Sequence, residues 1–192
     1  MAASKKPIQY IIGLGNPGEQ YVLTYHNVGF LAVDFLTEQK TIYNQILHET
    51  SSPWHVPSNK HFTYTATETH IFIKPLTFMN RSGMAVQEIL KYFNTNLENI
   101  IILHDDFDLP IGTYRKTDSS GSAGHKGVTS IISALHTEDF HRIRIGIHPN
   151  KEEDNLARLK AEEYVLCSIT RTHQTQLLSI FKEIKKHINV LS

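Results

Sequence analysis

The sequence has little that would suit a membrane, an oxidising compartment or strong nonspecific attraction to nucleic acid. Its single cysteine, Cys167, can form no internal disulfide, which fits a reducing cytoplasm. No apolar run approaches the roughly 20 residues of a membrane-spanning helix. Residues 1–6 precede no apolar signal region and are expected to form a flexible tail. The 19 basic and 19 acidic residues give a net charge of zero, so nucleic acid would be held by a local basic patch.

Apolar residues make up 40% of the 192 residues, which is enough for one sizeable core. Short apolar or alternating runs predict strands at 8–14, 61–67, 70–74, 100–103, 112–116 and 142–147. Helical periodicity predicts helices at 27–40, 81–93, 128–135 and over most of the chain from about 152. Loops are expected at 51–60 and 118–124. This alternation predicts a single α/β domain over residues 1–192.

Four polar clusters follow predicted strands, within residues 16–26, 78–80, 104–106 and 121–126. In an α/β sheet, parallel strands deliver their carboxyl ends to one edge, where ligands bind. Clusters that are far apart in sequence are therefore expected to meet in one crevice, provided that the strands before them run parallel.

Within these clusters, His26 and Asp105 are the candidates for acid–base chemistry. A histidine has an ordinary pKa of about 6.5 and can take a proton from water. A carboxylate on its other ring nitrogen fixes the tautomer and stabilises the imidazolium. Asn80 and Asn16 could donate amide hydrogens to a substrate carbonyl. The sequence holds no G-x-S-x-G motif, and Cys167 stands in no histidine or glycine motif. These features together favour hydrolysis of an activated carbonyl by water.

Each of these residues also has an ordinary structural interpretation. His26 could be a structural or surface histidine, and Asp105 could be a solvated residue at a strand end. Asn80 stands where a helix begins and could be its N-cap, while Asn16 precedes a Pro-Gly pair in a turn sequence. From the residues alone, the sequence indicates an α/β hydrolytic or binding protein.

Three segments favour other chemistries. Residues 13–18 match G-x-G-x-x-G, the fingerprint of dinucleotide binding, but polar residues delay the helix that should follow it. The fingerprint also needs an acidic residue at the end of a second strand, whereas Asp34 lies inside a helical pattern. Residues 104–108 could bind a metal, although no H-E-x-x-H or paired C-x-x-C accompanies them. Residues 121–127 precede a helix start, which attracts phosphate, and form either a flexible loop or a contact to RNA phosphate or a terminal ribose.

Taken together and in this order, the motifs resemble those of the bacterial peptidyl-tRNA hydrolase family over about residues 8–166. The matching segments are Gly13-Leu14-Gly15-Asn16-Pro17-Gly18 with Tyr21 and His26-Asn27, Thr77-Phe78-Met79-Asn80 with Ser82-Gly83, His104-Asp105-Asp106-Phe107-Asp108-Leu109-Pro110 with Gly112, Ser122-Ala123-Gly124-His125-Lys126-Gly127, and Phe140-His141-Arg142-Ile143-Arg144-Ile145-Gly146-Ile147. The resemblance implies a twisted mixed β-sheet wrapped by helices, a monomer, and no cofactor or metal.

The resemblance also implies roles for individual positions. His26 would be the general base that activates water, and Asp105 would hold it in its basic form. Asn80 would bind the peptide carbonyl and help to place the water. Asn16 would contact the peptide backbone and help to reject aminoacyl-tRNA that has a free amine. The further substrate contacts would be a pocket for the terminal nucleotide lined by Tyr21 and Phe78, a contact of Lys126 whose partner on the tRNA stays open, and a phosphate contact from Arg144, with Arg115 and Lys116 nearby.

Three positions depart from the pattern of the family. Lys126 stands where many relatives have asparagine, Tyr25 where arginine is frequent, and Cys167 where some relatives have glycine. The changes at Tyr25 and Cys167 leave the catalytic parts in place.

The implied substrate is N-blocked peptidyl-tRNA, bound by its acceptor stem and 3′ end and cleaved in the cytoplasm, away from any membrane, to free tRNA and a peptide. Two other functions stay open. One is non-catalytic RNA binding on the same fold, as in a splicing-factor branch found in chloroplasts, although the retained His26, Asp105 and Asn80 favour an enzyme. The other is an oxidoreductase built on the glycine fingerprint, against which the polar run after Gly18 argues.

Overall fold

The computed structural model describes residues 8–37, 54–149 and 159–191. The predicted tail at 1–6, the first part of the predicted loop at 51–60, the end of the helix predicted at 27–40 and the beginning of the helical region predicted from 152 lie outside these residues. The strands are β1 Gln9–Gly13, β2 Phe62–Ala66, β3 His70–Pro75, β4 Ile100–Pro110, β5 Tyr114–Ser119 and β6 Asp139–His148. The helices are α1 Val28–Leu36, α2 Ser82–Phe93, α3 Lys126–Leu135, α4 Ala161–Tyr164 and α5 Arg171–Leu191.

The strands form one mixed sheet in the order β2-β3-β1-β4-β6-β5. The four inner strands β3, β1, β4 and β6 are parallel, and β2 and β5 are antiparallel to their neighbours at the two edges. The inner strands therefore end at the same edge of the sheet, which is where a binding crevice is expected. The predicted fold class, an α/β domain with a mixed sheet and helices, is confirmed.

Both faces of the sheet are covered, and the alternation of side chains along each strand divides the core in two. Ile11 packs on one face with α1 and α5, and its neighbour Ile12 packs on the other face with α2 and α3. Both side chains are completely buried. Burying an isoleucine contributes about 1.5–3 kcal/mol, so the continuous apolar runs of the inner strands hold both helical layers against the sheet.

Strand β4 is longer than the predicted strand at 100–103, and this corrects the interpretation of Asp105 as a residue beyond the strand end. Its neighbour β1 stops at Gly13, which pairs with Leu103. On the other side, β6 continues and pairs with β4 at Asp105 and Asp106. The polar part of β4 thus keeps its backbone pairing on one side while it extends past β1 into the crevice.

Strand β5 also differs from its prediction, because it begins at Tyr114 and runs on to Ser119. Since β5 is antiparallel to β6, it ends at the opposite edge of the sheet, and the following loop has to return to the crevice. The buried Arg142 guanidinium holds this loop by donating to the Ser120 hydroxyl at 2.8 Å and to the Gly121 carbonyl at 3.2 Å. The polar residues before α3 therefore reach the crevice through the loop and not through the strand end.

Among the described residues, no helix has both the length and the apolar character needed to cross a bilayer.

Candidate active site

His26 lies in a short 3-10 turn, Tyr25–Asn27, that leads directly into α1. Gly29 lets α1 begin tightly against the end of β1 and the neighbouring part of β4, because a Cβ atom at this position would lie 2.4 Å from the carbonyl oxygen of Leu103. The next residue but one on β4 is Asp105. This close approach of helix and strand puts the buried side chains of His26 and Asp105 next to each other.

Asp105 lies between two imidazole rings. Nδ1 of His26 is 3.0 and 3.1 Å from the two carboxylate oxygens, and Nε2 of His125 is 2.9 Å from Oδ1. Nδ1 of His125 accepts backbone N–H bonds from Gly127 and Val128, each 3.1 Å long. The proton of a neutral His125 ring is therefore on Nε2 and faces Asp105. Asp105 likewise holds a proton on Nδ1 of His26, which leaves Nε2 of His26 able to accept one.

The surroundings of His26 push its pKa in opposite directions. Burial lowers the pKa of the imidazole, but the charge and hydrogen bond of Asp105 raise it by more, while the charge of Lys126 acts in the lowering direction. Burial would raise the pKa of the Asp105 carboxyl, yet His26 and His125 hold that pKa far below its ordinary range. Asp105 is therefore an anion at neutral pH, and it makes His26 a stronger base.

His104 completes the cluster as a neutral ring. Its centroid lies 4.7 Å from that of His125, and its Nδ1 donates to the backbone carbonyl of Asp105 at 2.7 Å. Burial, together with the neighbouring His125, holds the pKa of His104 well below its ordinary value. The next carboxylate, Asp106, is ion-paired with Arg144. The side chains of His104, Asp105 and Asp106 therefore take part in separate hydrogen bonds and ion pairs.

A cavity of about 670 Å³ lies beside His26 and Asp105. Its walls come from all four polar clusters of the sequence, and also from α4 and the two residues that follow it. The lining residues include Asn16, Tyr21, His26, Phe78, Asn80, Asp105, His125, Lys126, Glu162, Val165 and Leu166.

Asn16 is held rigidly at the wall of this cavity. Its backbone N–H donates to Oδ1 of Asn27 at 2.8 Å, and its backbone carbonyl accepts from Nδ2 of Asn27 at 3.0 Å. Its side-chain oxygen accepts the backbone N–H of Met79 at 2.8 Å. Because the oxygen is occupied, the side chain can offer a substrate its Nδ2 hydrogens, which donate and do not accept.

Asn80 lies in the 3-10 turn Met79–Arg81 and has an exposed side chain at the cavity. The interpretation of Asn80 as a helix N-cap is wrong, because the N-cap of α2 is Arg81 and makes no side-chain capping bond. Tyr21 and Phe78 also line the cavity, in an edge-to-face pair with centroids 6.3 Å apart. Phe78 is 52% exposed, so its ring can stack with a ligand.

The two basic residues predicted to contact the tRNA are placed differently. Lys126 begins α3 at the cavity wall, with Nζ 3.9 Å from the carboxylate of Glu162 on α4. Arg144 does not line the cavity and is joined to it through its ion pair with Asp106, which does. Arg115 is the register partner of Arg144 and shares its sheet face, whereas Lys116 points to the other face.

Comparison with known proteins identifies the family. The chain matches the family described as peptidyl-tRNA hydrolase over residues 10–192. Peptidyl-tRNA hydrolase of Mycoplasma capricolum subsp. capricolum is 38% identical over 185 residues, which cover 95% of this chain and 91% of that protein. The protein of the same name from Persephonella marina is 35% identical over 190 residues, covering 95% and 96%. The chain belongs to the peptidyl-tRNA hydrolase family.

A solved structure agrees with this assignment. The crystal structure of peptidyl-tRNA hydrolase from Acinetobacter baumannii superposes with a TM-score of 0.78 at 27% identity, over 99% of this chain and 91% of that chain. The family and the enzyme class predicted from the sequence, a hydrolase that acts on an ester, are confirmed.

The site contains side chains of the kinds that bind metals. His26, Asp105 and His125 each offer a donor atom, and these atoms lie within 4.8 Å of one another. To bind a cation through Nε2, a neutral His125 would need its proton on Nδ1, which already accepts two backbone N–H groups. The arrangement therefore suits a hydrogen-bonded chain better than a cation, and the absence of a metal requirement stays a prediction.

The glycine fingerprint serves the packing of α1. A Cβ atom at Gly13 would lie 2.3 Å from the carbonyl oxygen of Gly29, and one at Gly15 would lie 2.6 Å from the Phe30 ring. A 3-10 turn follows Gly18, and α1 begins only at Val28. In the dinucleotide fingerprint the helix begins directly at the last glycine, whereas here a 3-10 turn follows Gly18, so the oxidoreductase interpretation is wrong.

His125 is a site residue whose role was not predicted from the sequence. It is the N-cap of α3, and the chain reaches it through Ala123 and Gly124, both with positive φ. A histidine directly before a helix can cap it through Nδ1, which turns Nε2 away from the helix. That position was the available signal, but the partner of Nε2 lies 20 residues earlier in the chain and only the fold brings it near.

Proposed function

We propose that the protein hydrolyses the ester between peptide and tRNA in N-blocked peptidyl-tRNA, with a water molecule activated by His26. The observation that carries this proposal is the hydrogen bond from Nδ1 of His26 to the buried Asp105 carboxylate, which His125 holds from its other side. This arrangement supplies a base with a fixed tautomer and a nearby anion that stabilises its charged form.

In the proposed reaction, Nε2 of His26 takes a proton from water as the water oxygen attacks the ester carbonyl carbon. The amide hydrogens of Asn80, at the cavity wall, stabilise the resulting oxyanion, a contribution of about 3–4 kcal/mol for one such donor. When the intermediate collapses, the bond to the ribose oxygen breaks and the His26 imidazolium returns its proton to that oxygen. The products are a peptide carboxylate and tRNA with a free terminal hydroxyl.

Asn16 provides a physical basis for choosing N-blocked substrates. Its oxygen is occupied by Met79, so Nδ2 offers only donors to the ligand. The carbonyl of a blocked amine or of a preceding residue accepts such a bond, whereas a free ammonium group cannot. We expect this contact to favour peptidyl-tRNA over aminoacyl-tRNA.

The RNA end of the substrate would contact the aromatic and basic residues around the cavity. Tyr21 and Phe78 offer ring faces and edges to the terminal base, and Lys126 and Arg144 offer charges to phosphate. The proposal includes a monomer that works in the cytoplasm without a cofactor or metal. Activity that survives removal of divalent ions by a chelator would support the last point, and activity restored only by added metal would contradict it.

The proposal is tested by incubating the protein with N-acetylated aminoacyl-tRNA and with the unblocked form. We expect release of the acetylated amino acid only. His26→Ala should abolish turnover while leaving folding and tRNA binding largely intact, and Asp105→Asn should lower kcat by about hundredfold or more with a much smaller effect on KM. His61→Ala is the control, since His61 is half-exposed and paired with Glu88 outside the cavity.

Two outcomes would contradict the proposal. Near-normal turnover by His26→Ala would remove the general base. Binding of tRNA by the parent protein without any release of the acetylated amino acid would instead support a non-catalytic RNA-binding protein.

A further inference from the structure

A stack of aromatic rings lies directly behind the reacting residues. The rings of Tyr25 and Tyr164 are parallel within 26°, with centroids 4.4 Å apart. The ring of Tyr164 also packs on Phe107, at 5.3 Å and 57°. Tyr25 and Tyr164 are completely buried. Aromatic pairs of this geometry contribute more stabilising free energy than the apolar area that they bury would give by itself.

The stack joins the two chain segments that carry the proposed catalytic pair. Tyr25 directly precedes His26, and Phe107 follows Asp105 by two residues on β4. Tyr164, from α4, lies between them in space. A displacement of Tyr164 would therefore be felt by the backbone on both sides of the hydrogen bond between His26 and Asp105.

A buried polar contact closes the stack on the side of α5. The Tyr25 hydroxyl lies 2.5 Å from Nδ1 of His173, and the two rings meet at 5.8 Å and 63°. His173 is 4% exposed. In such a site a hydrogen bond is stronger than in water, because the surroundings have a low dielectric constant. Stacking alone would let the Tyr25 ring slide parallel to its own plane. The hydrogen bond to His173 prevents this movement.

Backbone hydrogen bonds also join the turn that carries His26 to the segment after α4. The N–H of Tyr25 donates to the carbonyl of Cys167 at 3.2 Å, and the N–H of His26 donates to the carbonyl of Val165 at 2.8 Å. The segment after α4 is therefore bonded to the turn that carries His26, while its Tyr164 side chain packs against β4 through Phe107.

We propose that Tyr25 and Tyr164, held by His173, are positioning residues that set the distance between His26 and Asp105. The inference rests on the proposed function, since it takes these two residues as the base and its partner. Neither Tyr25 nor Tyr164 lines the cavity beside His26, so their rings act through the backbone. A misplacement of about 1 Å at a reacting group can lower a rate by about hundredfold, so a small relaxation of the stack is expected to appear in kcat.

The test compares two variants with matched controls. Tyr25→Phe removes the hydroxyl but keeps the ring, and Tyr164→Leu removes the ring. Tyr64→Phe is the control for the first, because Tyr64 belongs to a separate aromatic group with Tyr92 and Phe93. Phe181→Leu is the control for the second, because Phe181 is a buried core ring on α5 that packs on Phe35. Kinetics with N-acetylated aminoacyl-tRNA, thermal melting and NMR titration of His26 are measured on each.

We expect Tyr25→Phe to lower kcat by roughly tenfold with KM changed by less than about twofold. The pKa of His26 should fall as well, because Asp105 is the group that raises it. Tyr164→Leu should show both effects more strongly, and Tyr164→Phe should restore most of the rate. The controls should lower the melting temperature without changing kcat or the pKa of His26.

The proposal is overturned if Tyr25→Phe has the kcat and the His26 pKa of the parent protein, whatever its melting temperature. This result remains available if Tyr164→Leu fails to fold. If the proposed function itself is wrong, His26→Ala is active. If only the positioning proposal is wrong, His26→Ala is inactive, and the variants of Tyr25 and Tyr164 have the kcat and the His26 pKa of the controls.

Discussion

His125 gives the Asp105 carboxylate its second hydrogen bond, and it is also the N-cap of α3. The two roles can be separated, because asparagine is a favoured N-cap but is too short to replace the imidazole at Asp105. A lost hydrogen bond to a charged group costs about 1.5–3 kcal/mol. We therefore expect His125→Asn to lower the free energy of unfolding by about that amount, and to lower kcat by about tenfold or more because Asp105 is held less firmly beside His26.

The control for this prediction is His125→Ala, which removes both roles. It should show the same loss of kcat and an additional loss of stability of about 1 kcal/mol, measured by urea unfolding. If both variants keep the kcat of the parent, the contact between His125 and Asp105 has no part in the reaction.

Lys126 lowers the pKa of His26, and this predicts the direction of a pH effect. The base works only when it is neutral, so activity rises as pH increases through the pKa of His26. In Lys126→Gln the lowering charge is gone and the pKa of His26 rises. The acidic limb of the kcat/KM profile should therefore move to higher pH, with Lys91→Gln, an exposed change on α2, as the control. A limb that stays in place or moves to lower pH would contradict this account.

The residues proposed to carry the chemistry could be selected from the sequence, whereas the residues packed around them could not. His26, Asp105 and the two asparagines could be selected because their side chains suit a proton transfer and an oxyanion. The partnership of His26 with Asp105 spans 79 positions, so spacing alone could not predict it, and the family resemblance supplied it. Tyr25 was visible in the sequence only as a departure from the family, because what it touches comes from α4 and α5.

At the scale of elements, the position of His26 depends on how closely α1 approaches the strands. A Cβ atom on Gly29 would lie within 2.4–2.6 Å of backbone atoms of Leu103 and Leu14, neither of which can move aside like a side chain. We expect Gly29→Ala to destabilise the protein by about 2 kcal/mol or more. Because the helix would shift away from β4, kcat should also fall in the folded protein.

The matched control is Gly121→Ala in the loop before α3. A Cβ atom there meets nothing within 4 Å, and the residue is outside the set with positive φ. Its stability and kcat should equal those of the parent. Equal unfolding midpoints for Gly29→Ala and the parent would show that α1 can shift away from β1 and β4 without loss of stability. This result would contradict the claim that close packing at Gly29 is required.

The elements themselves were largely predictable, and the errors have a common cause. Apolar periodicity identified the inner strands because both faces of the sheet are buried. It failed in the second half of β4, where the residues are polar yet paired with β6. It also failed at the end of β5, an edge strand whose side chains are mostly exposed. In both places the backbone pairing with a distant strand decides the structure, and a local pattern carries no information about it.

At the scale of the whole molecule, a net charge of zero means that attraction to RNA has to come from a few side chains near the cavity. Each phosphate contact that is lost should reduce the dependence of log KM on log salt by about one unit. We expect this reduction in Lys126→Gln and in Arg144→Gln. The second variant should also raise KM more at low salt, because it leaves Asp106 as an unpaired anion beside the cavity.

Lys182→Gln is the control for this measurement, since Lys182 is an exposed residue of α5 that does not line the cavity. It removes the same formal charge from the molecule, so it should change neither KM nor its salt dependence if the local charges alone bind the RNA. A reduction equal to that of Lys126→Gln would mean that the overall field, and not the basic residues at the cavity, holds the substrate. An unchanged slope in both Lys126→Gln and Arg144→Gln would instead move the phosphate contacts to another face, where the exposed Lys116 on β5 is the first residue to replace.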